Sequence, residues 1–272
     1  MKSLSSTANA PRLSLNLSPT SIAITGGKGN IGREFPAQIP RLETRLEATL
    51  DEKINELKHY TNLSCLIHLA GLVSVKDCEA DPERAFELNV GGALSWYNAA
   101  REVGLKRFIQ VSSSHVYAPS LKPLNTTDEL KPHAVYGKTK LAAESELLKV
   151  SSSSSCELVI ARVFSVLADP GPHWSVLEGL KRRAFAGDLS PIPGLDNVRD
   201  FLWTSEVAEK LERLAQAEKP PQFVNICSGR PTKIREIAEP LFQREGHDVN
   251  LLKVDLSQPS GNPFIVGVPT QF

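Results

Sequence analysis

Ser21-Ile22-Ala23-Ile24-Thr25-Gly26-Gly27-Lys28-Gly29-Asn30-Ile31-Gly32 is the stretch that decides the fold. A β-branched, apolar run reads as a strand at 21–25. It empties into a turn whose glycines at 26, 29 and 32 are spaced G-x-x-G-x-x-G. Glycine permits the tight reversal and lets backbone approach closely. A strand that ends in such a turn and opens a helix is the first half of a βαβ unit.

Outward from this point the alternation repeats. Apolar runs at 64–70, 108–112, 158–163 and 223–227 read as further strands, and 82–103 and 134–150 carry apolar residues at helical spacing. The second helix ends in five serines at 151–155, a surface loop. The pattern predicts an α/β fold, a doubly wound parallel sheet with helices on both faces. Past 165 the pattern loosens: Pro170, Pro172, Pro191 and Pro193 break it up, with helices at 175–186 and 204–217 between. The expected organisation is a loosely docked tail at 1–20, a sheet domain at 21–164, and a smaller C-terminal region at 165–272 interleaved with the last strands.

Composition narrows the function classes. Lysine plus arginine and aspartate plus glutamate both number 31, so the net charge is zero. A phosphate-backbone binder carries a basic surplus, so nucleic acid is not an expected partner. No apolar run approaches the ~20 residues of a membrane helix, and Leu13, Leu15 and Leu17 alternate with polar residues, unlike a signal peptide. Cys65, Cys78, Cys156 and Cys227 form no C-x-x-C pair, so no metal site is expected and a reducing, cytoplasmic setting fits best.

The glycine turn also suggests a ligand. Backbone N–H groups at Gly26, Gly29, Asn30, Ile31 and Gly32 can approach a diphosphate at a helix N-terminus, as in Rossmann dinucleotide sites; the competing reading is a turn without a ligand. Selectivity between NAD and NADP is set near the end of the second strand. There Pro36 and Pro40 interrupt the first helix and the segment to Asp51 is short. Arg33, Arg41 and Arg45 tilt the reading towards NADP, Glu43 towards NAD, and both stay open.

Two further motifs carry chemistry. Tyr136 and Lys140 are four apart, on one face of a helix. A tyrosine has a pKa of about 10, and a neighbouring ammonium group lowers it towards the range of a general base. Val111-Ser112-Ser113-Ser114 ends the preceding strand, where a hydroxyl can orient the reacting oxygen. Alone, a Tyr-x-x-x-Lys pair is an ordinary surface feature; its place after the glycine turn and the serine run makes it a site.

With His68-Leu69-Ala70-Gly71, Asn89-Val90, His115-Val116-Tyr117, Arg162, Val198-Arg199-Asp200-Phe201 and Asn225-Ile226-Cys227-Ser228-Gly229, the chain resembles the extended short-chain dehydrogenase/reductases, in their nucleotide-sugar epimerase/dehydratase branch. The resemblance covers about 21–269. It implies Ser113, Tyr136 and Lys140 as the catalytic set, with Tyr136 as acid/base and Lys140 also on the nicotinamide ribose. It implies Ala70, Gly71 and Asn89 beside the cofactor; Arg41, from the reading of the second-strand region, is taken as the cationic cofactor-binding candidate. Ser114, Ser165 and Arg199 would face the substrate, Arg199 pairing with its diphosphate or else held in a salt bridge with Asp200 or another carboxylate.

Departures from the family pattern matter. Ser114 and His115 stand where dehydratases carry Asp-Glu, so dehydration is not expected, and His115 reads as a packed or solvent-facing histidine. Ser165 replaces an asparagine, and a later phosphate-binding arginine is replaced near Gln258. The segment from 224 to 268 is closest to reductases of GDP-4-keto-6-deoxyhexoses. The implied activity is NAD(P)-dependent hydride transfer at carbon 4 of a nucleotide-activated hexose, by a 4-epimerase or a 4-keto reductase acting as a homodimer. The alternative is a non-catalytic NAD(P) sensor or scaffold.

Overall fold

The computed structural model describes residues 21–257 and 261–272; the predicted tail at 1–20 and the replaced arginine near Gln258 lie outside the described residues. In chain order the first half comprises β1 (Ile22–Thr25), β2 (Arg41–Leu42), α1 (Leu50–Lys58), β3 (Cys65–His68), α2 (Val75–Ala80), α3 (Pro82–Phe86), α4 (Gly92–Glu102), β4 (Arg107–Ser113), α5 (Val135–Ser151) and β5 (Glu157–Val163). The second half comprises β6 (Ser165–Leu167), α6 (Val176–Ala186), β7 (Ile192–Pro193), β8 (Val198–Arg199), β9 (Phe201–Trp203), α7 (Thr204–Gln216), β10 (Phe223–Ile226), β11 (Thr232–Lys233), α8 (Ile234–Arg244), β12 (Val254–Asp255) and β13 (Phe264–Ile265).

Six strands form one parallel sheet in the order β10-β5-β4-β3-β1-β2. The chain moves outward from β1 to β2, then crosses to the other side of β1 and continues through β3, β4 and β5. That reversal beside β1 opens a crevice at the carboxyl ends of the strands, where doubly wound sheets bind ligands.

Every residue of β1, β3 and β4 is buried, so both faces of these strands are covered. Ile22 and Ile24 point to one side and pack with Ile67, Ile109 and the α7 residues Leu211 and Leu214. Ala23 points to the other side, among Leu66, Phe108, Trp96, Tyr97 and Leu147 from β3, β4, α4 and α5. The period-two alternation of a strand thus assigns its residues to two helical layers. A separate core, with Leu180, Ala184, Ile234, Ala238 and Phe242, holds α6 against α8 in the C-terminal region.

Two of the expected helices take irregular forms. The first helix, expected to be interrupted at Pro36 and Pro40, is reduced to a single 3-10 turn at Gly32–Glu34. Pro36 lacks an N–H and disfavours a helical residue before it, and Pro40 repeats the block. Phe35 and Ile39, both buried, fill the vacated place against α7. The helix predicted over 82–103 is continuous in direction but changes pitch, with α3 and α4 joined by a π-helical segment at Glu87–Gly91.

Among the described residues no helix is long and apolar enough to cross a membrane. All four cysteines are free and buried. Burial pushes the Cys65 and Cys227 thiols up to about 12, so they act as small apolar fillers rather than nucleophiles.

Candidate active site

β4 runs directly into the site. Its last residue, Ser113, accepts the His115 N–H on its hydroxyl at 3.2 Å and so caps the 3-10 turn Ser114–Val116. Opposite, the start of α5 brings Tyr136 and Lys140 onto one face. Gly137 allows this approach: a Cβ there would lie 2.4 Å from the His115 carbonyl oxygen. The result is a cleft of about 500 Å³ with the glycine turn at one side and Ser113, Ser114, Tyr136, Lys140 and Ser165 at the other.

The expected tuning of Tyr136 by Lys140 does not appear in this geometry. Burial pushes the Tyr136 phenol up to about 12, with the Ser113 hydroxyl, hydrogen-bonded to it, opposing the rise. Burial also pushes Lys140 down to about 8, against the raising influence of Glu144 and Cys78. Desolvation disfavours each charged form and outweighs the partners. Lys140 Nζ donates to the Val111 carbonyl at 3.0 Å, which anchors it to β4. At neutral pH Tyr136 therefore begins protonated, as an acid.

The glycine turn is close-packed. Gly26 has φ +69°, and a Cβ there would meet the Ala70 nitrogen at 2.8 Å; at Gly32 it would meet the Gly26 oxygen at 2.3 Å. Gly26, Gly29, Asn30, Ile31 and Gly32 all line the cleft, as do Ala70 and Gly71. A turn that excludes side chains from this strip leaves backbone alone against whatever lies there, and so fits a dinucleotide diphosphate. The helix dipole normally offered beside it is reduced to one turn.

Other predicted residues sit behind or beside the cleft. Asn89 is buried and does not line it; its amide donates to the Leu72 carbonyl and Thr139 Oγ1 (both 2.9 Å) and accepts from the Leu72 N–H (2.7 Å). It fixes the chain after Gly71 rather than facing a ligand. Arg41 lines an adjoining hollow with Gly27, Glu43 and Arg45. Its guanidinium donates to the carbonyls of Phe35 (2.7 Å), Ile39 (3.3 Å) and Pro36 (3.5 Å). Among the described residues Arg199 makes no ion pair: Asp200 spends its carboxylate on the amides of Ser228, Gly229 and Gly267. The Arg199 guanidinium donates to the Val198 carbonyl and does not line the cleft itself.

Of the layer beneath, sequence reasoning named Arg162, Tyr117 and Asn225 but missed Glu144, which pairs with the first of them. Glu144, four residues after Lys140, pairs with Arg162 at 2.8 Å and accepts the Ser112 hydroxyl, all three buried. Arg162 also donates to Tyr117 Oη (3.0 Å), which donates to Asn225 Oδ1 (2.6 Å). The signal was there in the i, i+4, i+8 series Tyr136, Lys140, Glu144. The walls formed by Pro172, Trp174 and Ser175 had no such signal.

A model of the NAD dependent epimerase/dehydratase family matches residues 22–227. The GDP-6-deoxy-D-mannose reductase of Pseudomonas aeruginosa is 31% identical over 239 residues, covering 79% of this chain and 77% of the reductase. The UDP-glucose 4-epimerase of Streptomyces lividans is 26% identical over 204 residues, 68% of this chain and 61% of that one. Among solved structures, RMD from Pseudomonas aeruginosa complexed with NADPH superposes with a TM-score of 0.76 at 23% identity, covering 92% of this chain and 90% of that chain. The UDP-glucose 4-epimerase of Thermotoga maritima with UDP-glucose reaches 0.78 at 21% identity, with the same coverage. These superpositions establish the shared fold.

Proposed function

Since the chain belongs to the NAD dependent epimerase/dehydratase family, a family of nicotinamide-dependent enzymes, we propose that it transfers a hydride at carbon 4 of a nucleotide-activated hexose. The observation that carries this reading is the Ser113–Tyr136 hydroxyl pair on the cleft wall, with Lys140 behind it and the glycine turn across from it.

Gly26, Gly29, Asn30, Ile31 and Gly32, with Ala70 and Gly71, would hold the dinucleotide. When bound, it supplies or receives the hydride. The chain's own groups manage the proton. Ser113 and Tyr136 hold the sugar oxygen between two hydroxyls, and the phenol gives it a proton as carbon 4 is reduced. Ser114 and Ser165 flank the sugar, and Arg199 approaches its diphosphate.

Of the two outcomes, the 31% identity to a GDP-6-deoxy-D-mannose reductase over 79% of this chain supports ketone reduction. No carboxylate lines the cleft among the described residues, which supports setting dehydration aside.

The test has two parts. Denaturing the purified protein and identifying any released nucleotide asks whether a cofactor is retained, as an epimerase requires. NADPH oxidation with a GDP-linked 4-keto-6-deoxyhexose asks for the reduction itself. Tyr136→Phe should lower turnover by about 10²–10⁴-fold while dinucleotide binding stays within a few-fold. Turnover that survives the substitution removes Tyr136 from the chemistry. A wild-type protein that binds the dinucleotide and turns nothing over is the sensor instead.

A further inference from the structure

One buried side chain of the Tyr-x-x-x-Lys stretch has no part in the proposed chemistry. Thr139, next to Lys140, is fully buried and does not line the cleft. Its hydroxyl makes two bonds whose directions are fixed. Asn89 Oδ1 accepts the Leu72 N–H at 2.7 Å, which turns its Nδ2 to the Leu72 carbonyl and to Thr139 Oγ1, both at 2.9 Å. Nδ2 can only donate, so Thr139 Oγ1 accepts there and gives its own proton to the Tyr136 carbonyl at 2.8 Å. One unbroken path thus runs from the backbone beside Gly71, through two buried side chains, to the main chain of Tyr136. Gly71 lines the cleft at one end of this path and Tyr136 at the other.

The first turn of α5 needs such support. Ala134 offers no capping side chain, and Gly137 follows Tyr136 directly. Glycine weakens a helix, and the N–H groups of a first turn have no intrahelical partners. Asn89, for its part, sits in the π-helical segment Glu87–Gly91, a break in regular helix bonding of a kind that frequently occurs at functional sites. Lys140 Nζ, on the Val111 carbonyl at 3.0 Å, ties α5 to β4. Thr139 ties the same helix to the strip that follows β3.

We propose that Thr139 is a positioning residue: its hydroxyl fixes how far the Tyr136 phenol stands from the strip Ala70–Gly71, and so from a dinucleotide held along that strip. The proposal rests on the carbon-4 reading above. In that reaction carbon 4 and its oxygen lie between the dinucleotide and the phenol, so the spacing of the two sides sets the rate. A misplacement of about 1 Å costs roughly 10²-fold. Without the Thr139 hydroxyl, Lys140 still holds α5 to β4 and Tyr136 stays beside Ser113. The distance from Tyr136 to the strip is no longer fixed.

The experiment compares the full chain with Thr139→Val, which keeps the branched shape and loses both bonds, and Thr139→Ser, which keeps the hydroxyl. Melting is followed by calorimetry, NADPH binding by fluorescence titration, and exchange of the 135–140 amides by deuterium mass spectrometry. kcat and KM are measured with a GDP-linked 4-keto-6-deoxyhexose, well below the melting temperature of every variant. Thr139→Val should lower kcat by about 10–100-fold. Its KM and its Kd for NADPH should stay within about threefold of wild type. Its 135–140 amides should exchange at least about tenfold faster. Thr139→Ser should keep kcat within about threefold of wild type. If Thr139→Val does not fold, Thr139→Cys, whose thiol is weak as donor and acceptor, takes its place. A folded variant with unchanged kcat leaves Thr139 a packing residue and overturns the proposal. So does a fall in kcat matched by an equal loss of NADPH affinity, and so does a serine variant as slow as the valine one. A wild type that turns over none of the GDP-, UDP- and dTDP-linked ketohexoses overturns the carbon-4 reading, and the positioning role falls with it.

Discussion

Acid should loosen the glycine turn through one buried histidine. The Ala70 N–H donates to the Thr25 hydroxyl at 3.2 Å, and Thr25 Oγ1 lies 2.8 Å from His68 Nδ1. The hydroxyl has one proton and two lone pairs, so beside the bond from Ala70 it pairs with Nδ1 in either tautomer of a neutral ring. This relay ties the end of β1 to the end of β3 immediately before Gly26. Burial, with the Lys140 and Lys53 cations adding to it, pushes His68 down to about 3 from 6.5. The folded value lies below the unfolded one, so the contribution is complete above about 6.5 and is lost as pH falls towards about 3. At about pH 5 the unfolded chain has taken the proton and the folded chain has not, a difference of about 2 kcal/mol. In a domain of this size that lowers the melting temperature by roughly 4–8 °C. The assay is urea and thermal unfolding at about pH 8 and about pH 5, for wild type and His68→Asn, which keeps an acceptor near Thr25. The substitution also loses the stacking on Phe108, centroids 5.7 Å apart, but at both pH values, so only the pH-dependent difference is compared. The wild type should lose about 2 kcal/mol more than the variant. Equal losses would show that His68 does not stay neutral, and the relay argument would be wrong.

Glu144→Gln strips the charge that pairs the buried Arg162 and should cost about 3–5 kcal/mol; calorimetry should register roughly 6–20 °C of lost melting temperature, and an unchanged melt would mean that the pair is not what holds α5 to β5. Lys140 is pushed down to about 8, so it sheds its proton as pH rises through that value, and fluorescence titration should find dinucleotide roughly tenfold weaker at about pH 9. Affinity that stays flat across that range would take Lys140 out of the binding site. Arg41→Met frees the carbonyls of Phe35, Pro36 and Ile39 and should weaken NADPH more than NADH; an equal fall would leave Arg41 a purely structural role.

The sheet was legible because its signal is local. Strands such as Ile22–Thr25 and Cys65–His68 are buried throughout and apolar up to their last residue, and burial on both faces writes that directly into the sequence. The juxtaposition of the candidate pair was legible for a different reason, since Tyr136 and Lys140 are fixed relative to each other by helical spacing. The truncation of the first helix was legible in Pro36 and Pro40, but the compact substitute built from Phe35 and Ile39 was not, because it depends on packing against α7. The state of Tyr136 could not be read at all. Spacing shows that an ammonium group is near; only the packing shows that desolvation outweighs it.

The shortened first helix raises a question about how the turn keeps its shape. A full helix brings a dipole of about half a charge to its N-terminus and a rigid rod that fixes the loop before it. Three residues of 3-10 turn bring neither. Support comes from the sides. On one flank the relay from Ala70 through Thr25 to His68 fixes the entry to Gly26. On the other, the Arg41 stem lies so close to Gly27 that a Cβ there would come within 2.6 Å of its Cγ, while its guanidinium gathers the three carbonyls that end the turn. Arg41 thus places a full positive charge in the region where a longer chain would use a dipole, and it does so from β2, the strand that reads the cofactor's ribose in this fold. Loss of the helix leaves the shaping of the turn to a single side chain, and the NADPH-against-NADH comparison with Arg41→Met tests whether the same side chain also reads the ribose.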